Sequence, residues 1–543
     1  VDFTDPDPGQ THTISWYIEA ASATGPTDPA DLLPFNWAPK SVGDYKIWVR
    51  VNDGFATTTG GPYDISRVNI SGWARTWGSG LDDEGWQLAV DNQGNAYVMG
   101  YFSSTIDFDP DPGQTDLKTA VGPYWRDYYL CKYDATGDYK WARTWGGPST
   151  QTYGGVCVDD LGSVYAAGQF GYPNIDFDPD PATSDVHSPV GGSDIFLSKF
   201  DTDGNYKWVR CWGGTGDDWL NHAVADVSGN VFVTGWYGSV GADFDPGSGT
   251  AILSSNGGYD PWLSKFDSSG NLQWAKGWGG LGMDLGTGNA IDSSGNVYSV
   301  GTYAGTVDFD PGAGVDNHTA NGGQDAYVLK LNSSGTFQWA RTWGAGGSSN
   351  NYDQVQGASA DNAGFVYVCG IFQGIDADFD PGSGVDNHSS NGAFDDFLSK
   401  FDSSGTFQWA LTWGGSLDEN AYSCAYDGVG NVYVTGHFMS ANVDFDPGAG
   451  TDNHSSISSA DWFLSKLDSS GTFQWARTWG NTTVPWGSDF GFDIACRYPG
   501  AVYVIGLFSG TIDLDPGSGA DLHTSYGAQD ACLMKVLSNG YWQ

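Results

Sequence analysis

Over residues 289–343 the apolar positions fall in short alternating runs separated by turn residues. Asn289-Ala290-Ile291-Asp292 reads as a short strand and Ser293-Ser294-Gly295-Asn296 as a turn. Val297-Tyr298-Ser299-Val300-Gly301 is a second strand, and Val307-Asp308-Phe309-Asp310-Pro311-Gly312 leads into a loop. Asp325 to Leu331 makes a third strand, Asn332-Ser333-Ser334-Gly335 a hairpin turn, and Phe337 to Trp343 a fourth strand. A period of two in short stretches marks half-buried strands, and helical periodicity is essentially missing. In the turns Asp or Asn supplies a side-chain bond to the backbone, and Gly takes the positive φ.

The same order of elements recurs along the chain. Trp339-Ala340-Arg341-Thr342-Trp343-Gly344 has counterparts starting at Trp73, Trp141, Trp208, Trp274, Trp409 and Trp475, spaced 65 to 70 residues apart. Self-similarity at such a period is the mark of a repeat architecture. On a strand Trp339, Arg341 and Trp343 share one face. A guanidinium held between two indoles there would gain ~0.5–2 kcal/mol of cation–π energy. The other face, Ala340 and Thr342, is small enough to lie against a neighbouring sheet. Four antiparallel strands repeated seven times predict an all-β chain with a seven-bladed β-propeller over residues 71–543. The motif at Trp73 precedes the first inner strand, so Trp73–Trp77 is expected to complete the last blade as its outermost strand, beside Asp530–Val536. That closure leaves no open edge. The competing stub, Gly540-Tyr541-Trp542-Gln543, is expected to be displaced or to pack elsewhere.

Residues 1–70 do not obey the repeat. They contain Phe3-Thr4-Asp5-Pro6-Asp7, then Thr11-His12-Thr13, then Trp16. Further on, Tyr45, Ile47, Val49 and Val51 alternate with Lys46, Trp48 and Arg50 before the turn Asn52-Asp53-Gly54. This segment resembles an immunoglobulin-like module of the PKD type, which implies a small β-sandwich ahead of the propeller. Trp16-Tyr17-Ile18-Glu19 stands where that family has a Trp-Asp-Phe-Gly-Asp-Gly turn. The family has one or two strands before its first motif, whereas this chain starts there. Two readings stand: the chain is cut, or a neighbouring subunit supplies the strand by β-augmentation. The repeats resemble the bacterial SBBP β-propeller repeats, on Asp427-Gly428-Val429-Gly430-Asn431-Val432-Tyr433-Val434-Thr435-Gly436 and on Asp395-Asp396-Phe397-Leu398-Ser399-Lys400-Phe401-Asp402-Ser403-Ser404-Gly405. The resemblance implies the propeller and says little of activity, because propellers host many functions.

Charge narrows the classes. The net charge is −43, most of it Asp. Nucleic-acid binding needs a basic footprint and is excluded; binding of cations and solubility in salty medium are compatible. No apolar run nears the length of a transmembrane helix. No leader is visible, and Val1 implies a processed chain or a fragment. Seven cysteines occupy no shared repeat position and form no CxxC pair. They are expected to be small buried side chains, with one conceivable disulfide, Cys424–Cys496.

Each repeat carries an acidic loop: Asp107/Asp109, Asp176/Asp178, Asp243/Asp245, Asp308/Asp310, Asp378/Asp380, Asp444/Asp446 and Asp513/Asp515, with Pro following every pair. A third carboxylate follows at Asp116, Asp185, Asp316, Asp386, Asp452 and Asp521, with Ala251 in the third repeat. Carboxylates at i and i+2 point to one side of an extended chain, and a Pro-Gly turn folds the third toward them. Such a set of hard oxygen donors suits Ca²⁺. The competing reading is that the carboxylates cap backbone N–H groups of a tight turn. Asp111 and Asp180 add a further carboxylate in the first two repeats, and the third repeat is the weakest candidate. His187, His318, His388, His454 and His523 follow the loops one per repeat. They are read as hydrogen-bonded to the nearby Asp or a hydroxyl rather than as a metal cluster. The Asp that opens each third strand (Asp127, Asp194, Asp260, Asp325, Asp395, Asp461, Asp530) is read as a turn cap or an inter-blade bond.

No nucleophile elbow, phosphate loop or HExxH motif is present, and symmetry departs only modestly, at Arg497 and Pro485-Trp486. The expected protein is therefore non-enzymatic, calcium-binding, and extracellular or cell-surface. Its expected role is structural or adhesive, in its sharpest form as the subunit of a surface filament joined by β-strand complementation. The alternative is a carbohydrate-binding or polysaccharide-degrading propeller using Trp219, Trp236 or Trp486. A protein-interaction scaffold is a third reading.

Overall fold

The computed structural model describes three strands in residues 13–68 and, beyond residue 70, all residues except 112, 123–124, 148–152, 347–350, 485–486, 497–499 and 543. Seven four-stranded antiparallel sheets make up the larger part. The fourth shows the plan: Leu285–Ile291 pairs with Val297–Tyr303, then Asp325–Leu331, then Phe337–Trp343. At the Asp292 turn Oδ1 accepts from the Ser294 and Asn296 N–H groups at 2.9 and 3.0 Å, and Gly295 takes φ 75°.

The first strands of consecutive sheets touch one another, and Phe490–Ala495 touches Glu84–Val90, so the ring closes. In the seventh blade Trp73–Trp77 is the outermost strand, with Trp73 opposite Lys535 and Trp77 opposite Ala531. The C-terminal stub packs on the propeller instead. The Trp542 carbonyl accepts from Gly72 N–H at 3.0 Å, and Tyr541 lies under the Arg477 guanidinium. The fold is thus an all-β seven-bladed propeller. No helix of the described residues is long and apolar enough to cross a membrane.

The core sits in the seams between blades. The cluster holding Tyr298, Val300 and Val328 of blade 4 also holds Val366, Val368 and Phe397 of blade 5, with Trp339 and Trp343. Trp343 is 2 % exposed. Burying a large apolar side chain is worth roughly 1.5–3 kcal/mol. A polar staple crosses every seam as well. The Lys of each third strand donates to a carbonyl in the next blade's outer turn: Lys132 to Thr202, Lys199 to Ser268, Lys265 to Ser333, Lys330 to Ser403, Lys400 to Ser469, Lys466 to Ser538 and Lys535 to Ala135. Trp339 Nε1 shares the Ser403 carbonyl, and Arg341 Nε donates to Gly405 O at 2.7 Å. The guanidinium lies 5.4 Å from the Trp339 ring centre, over the first Trp of the motif. The expected sandwich between two indoles does not form, because the Arg is drawn to the next blade's turn carbonyls.

Two further features differ from the sequence reading. The acidic loops are small two-stranded hairpins, such as Thr306–Asp308 with Asn317–Thr319, one in each blade. All seven cysteines are free thiols. Cys424 belongs to the seam between blades 5 and 6 and Cys496 to the next seam, which separates the expected pair.

Residues Thr13–Ala20, Gly43–Asn52 and Thr57–Val68 form one three-stranded antiparallel sheet with Thr13 opposite Asn52. The first motif of the PKD-type reading, residues 3–12, lies outside the described residues.

Candidate functional site: the mouth of the central channel

The seven acidic hairpins are capped by their own carboxylates. Asp308 Oδ1 accepts from the N–H groups of Asp310 and Asp316 at 3.1 and 2.8 Å, and Asp310 Oδ1 from Gly312 at 2.8 Å. The same bonds recur from Asp107 to Asp109 and Asp116, from Asp176 to Asp178 and Asp185, and from Asp378 to Asp380 and Asp386. They recur again from Asp444 to Asp446 and Asp452, and from Asp513 to Asp515 and Asp521. In blade 3 the Ala251 N–H still reaches Asp243, so the cap survives without the third carboxylate. Among the described residues no three His, Cys, Asp or Glu side chains converge as a metal set.

The third Asp faces the His two residues on. His318 Nε2 lies 3.3 Å from Asp316, and its Nδ1 is 2.8 Å from Thr342 Oγ1 of the outer strand. His388, His454 and His523 repeat the pattern with Thr412, Thr478 and Thr76, the last across the closure. His187 pairs with Asp185 at 2.8 Å. His318, His388, His454 and His523 pin hairpin to blade, and the five histidines do not meet one another.

The Asp that opens each third strand caps a turn, as Asp325 does for the Asn321 N–H at 2.8 Å. The Gly after each motif's last Trp makes room for it: a Cβ on Gly344 would sit 2.5 Å from the Asp325 carboxyl carbon. Across six seams this carboxyl faces another: Asp530 and Asp83, Asp194 and Asp218, Asp260 and Asp284, Asp325 and Asp353, Asp395 and Glu419, Asp461 and Asp489. Burial, and then the facing charge, push Asp83, Asp260 and Asp353 up to about 7. Arg497 and Pro485-Trp486, which break the repeat, lie outside the described residues.

Symmetry breaks most at one end of the central channel. In six blades the inner strand carries a one-residue bulge against the second strand. The extra residues are Trp86, Asn221, Thr287, Gln356, Tyr422 and Phe492, and all six line one cavity of about 460 Å³. A glycine in the second strand makes room for each bulge. A Cβ on Gly100, Gly235, Gly301, Gly370, Gly436 or Gly506 would overlap the carbonyl oxygen just before the bulge. Among the described residues of blade 2 there is no bulge: Gly154 pairs with Gly168, the counterpart glycine, in continuous register. Bulges re-aim side chains and gather at functional sites. These six residues were invisible as a set in the sequence. The signal was present in the recurring second-strand Gly, paired with the residue just before the one that differs in each of the six bulged repeats.

The mouth is aromatic on one side and amide on the other. Trp86 stacks on Phe492 with ring centres 4.4 Å apart and makes a T-shaped contact with Tyr153 at 4.9 Å. Trp236 stacks on Trp219 at 4.9 Å. Tyr422 bridges to Phe492 and to His437, whose imidazole burial pushes down to about 3 and keeps neutral. Opposite lie Thr287, Gln354 and Gln356 of blades 4 and 5. Below, a belt of side chains links successive inner strands. Gln87 Oε1 accepts from Val156 N–H at 2.7 Å, and His222 Nδ1 is 2.6 Å from Asn289 Oδ1. Gln356 donates to Asn420 Oδ1 at 2.7 Å, and Ser423 Oγ donates to Asp493 at 2.7 Å. Asp493 also accepts from the Leu88 N–H at 2.9 Å, and burial raises its pKa. Antiparallel pairing puts the start of each inner strand and the end of each second strand at the same end, so the acidic hairpins ring the face that bears the mouth.

No protein-family model matches the chain. It is 21 % identical to an uncharacterised WD repeat-containing protein, L264, of Acanthamoeba polyphaga mimivirus, over 82 % of this chain and 37 % of that protein. It is 26 % identical to the regulatory protein FlaEY of Caulobacter vibrioides, over 33 % of this chain and 18 % of that one. The chain thus spans little more than a third of the first relative and less than a fifth of the second. Among solved structures, YCF48 bound to a D1 peptide is matched at TM-score 0.36 and 9 % identity, over 86 % of this chain and 95 % of that one. The Pan2 WD40 domain of Neurospora crassa is matched at TM-score 0.28 and 10 % identity, over 70 % and 87 %.

Proposed function

We propose that the chain is a non-enzymatic binding module whose recognition site is the mouth of the central channel. The observation that carries this is the bulge. One backbone device, repeated six times, delivers six different side chains into one cavity. A position that differs in each of the six copies that carry it, within an otherwise repeated frame, suits recognition better than stability. A cavity of about 460 Å³ lined by aromatic rings and a few fixed polar groups is of small-ligand size. The test is a ligand-observed NMR screen with neutral, cationic and anionic fragments. Hits should be displaced together and vanish in Trp86→Ala; hits unaffected by that change would contradict the reading.

An extracellular or surface setting is part of the proposal, supported by the acidic composition, which suits salty medium. Calcium at the acidic hairpins is a separate proposal, supported by the density of carboxylates on one face. A melting temperature raised by calcium and restored by chelator is its test; an unchanged melt leaves these carboxylates as caps alone. Self-association by strand complementation now rests on the N-terminal segment, since the C-terminal stub is packed on the ring.

A further inference from the structure

We infer that the mouth takes a neutral, hydroxyl-rich ring: a sugar residue of an uncharged glycan, seated against Trp86 and Trp236 and held by the carboxamides of Gln356, Asn221 and Gln87. The inference rests on the binding reading above and names its ligand class.

Two observations shape the apolar side. Trp86 and Trp236 both line the cavity, and each has a parallel ring on one face, Phe492 and Trp219 respectively. Their planes are therefore fixed before any ligand arrives, which lowers the ordering cost of binding. A flat, rigid indole complements a ligand with a face of C–H bonds.

The polar groups around the cavity are fixed by bonds already made. Gln356 Nε2 donates to Asn420 Oδ1 and leaves its Oε1 as an acceptor. Asn221 Nδ2 donates to Gly286 O at 2.7 Å and leaves its Oδ1. Gln87 accepts through Oε1 from Val156 N–H and leaves its NH₂ as a donor. Two pinned acceptors and one pinned donor match hydroxyl groups, which donate and accept alike.

Charge removes the other classes. Among the described residues no Lys or Arg lines the cavity, its one imidazole, His222, is bonded to Asn289 and faces Asp493, and the surrounding face carries the acidic hairpins, so an anionic ligand finds repulsion. A cationic ligand finds one carboxyl, Asp493, already occupied by the Leu88 N–H and the Ser423 hydroxyl. An aromatic peptide side chain would use the indoles and leave the carboxamides unanswered, at a cost for each buried polar group left without a partner.

The experiment uses the full chain on an array of neutral α- and β-linked hexose oligosaccharides beside sulfated and uronic-acid ones, with calorimetry on the best neutral binder. Binding of neutral glycans is expected. Trp86→Ala and Gln356→Ala should each weaken it about tenfold or more, and Trp86→Phe should retain part of it, which separates a lost platform from a lost fold. Exclusive binding of acidic glycans, or neutral binding that both alanine variants leave intact, overturns the inference. Absence of neutral binding while fragments still occupy the mouth overturns the ligand class alone; absence of both overturns the binding reading too.

Discussion

The outer frame and the inner mouth of this propeller are built on the same repeat and obey opposite rules. In the frame the same residue does the same thing seven times: Lys330 and its six counterparts each staple their blade to a carbonyl of the next. At the mouth, one backbone position carries Trp86, Asn221, Thr287, Gln356, Tyr422 and Phe492 in turn. Repetition marks positions whose partners are other copies of the repeat. On the proposed reading, variation marks positions that also face a partner from outside it.

The comparison breaks if the two regions respond alike to substitution. The largest effect is expected in a seam. Trp343→Ala empties a site 2 % exposed and should cost ~3–5 kcal/mol, read by urea unfolding. Next comes the staple: Lys330→Met keeps an unbranched side chain and removes the ammonium from over the Tyr298 ring together with its bond to Ser403, at a cost of ~1.5–3 kcal/mol for a charged hydrogen bond.

A pH series sharpens the picture of the seams. Asp353, held by the Ala345 and Gln373 N–H groups, is raised to about 7 by burial and then by Asp325. A carboxyl whose folded pKa exceeds its unfolded value favours folding fully below the unfolded value, and that advantage is lost as pH climbs through the folded one. Melting temperature should therefore rise as pH falls from about 8 to about 5, and Asp353→Asn should flatten part of the rise. A melting temperature that falls over this range would contradict the seam carboxyls as described. The smallest effect belongs to the mouth: Gln354→Ala, on the amide side, should change stability by no more than about 0.5 kcal/mol.

Much of the frame was legible in the sequence because its signals are local. Alternation gave the strands, Asp and Gly gave the turns, and the offset of the Trp73 motif gave the closure. The capping by Asp308 and its counterparts stood as one of two readings, and the hairpin geometry shows those bonds. The mouth was not legible. A bulge is a relation between two strands, so it appears only once the register of Leu285–Ile291 against Val297–Tyr303 is known. Without it, Thr287 reads as one more residue of an alternating run. Trp219 and Trp236 were singled out as surface candidates, yet Trp236 alone lines the mouth, within a five-blade aromatic arc, with Trp219 stacked behind it. Cys424 and Cys496 were paired by repeat spacing, which carries no information on which face of a blade each thiol occupies.

The most direct measurement sets one substitution in each region side by side: Trp343→Ala and Trp86→Ala, each followed by thermal melting and by ligand-observed NMR against the same fragments. The account predicts that Trp343→Ala lowers the melting temperature steeply. It predicts that Trp86→Ala melts close to the parent protein and loses the fragments. A Trp86→Ala protein that melts as low as Trp343→Ala, or that keeps every bound fragment, would contradict it.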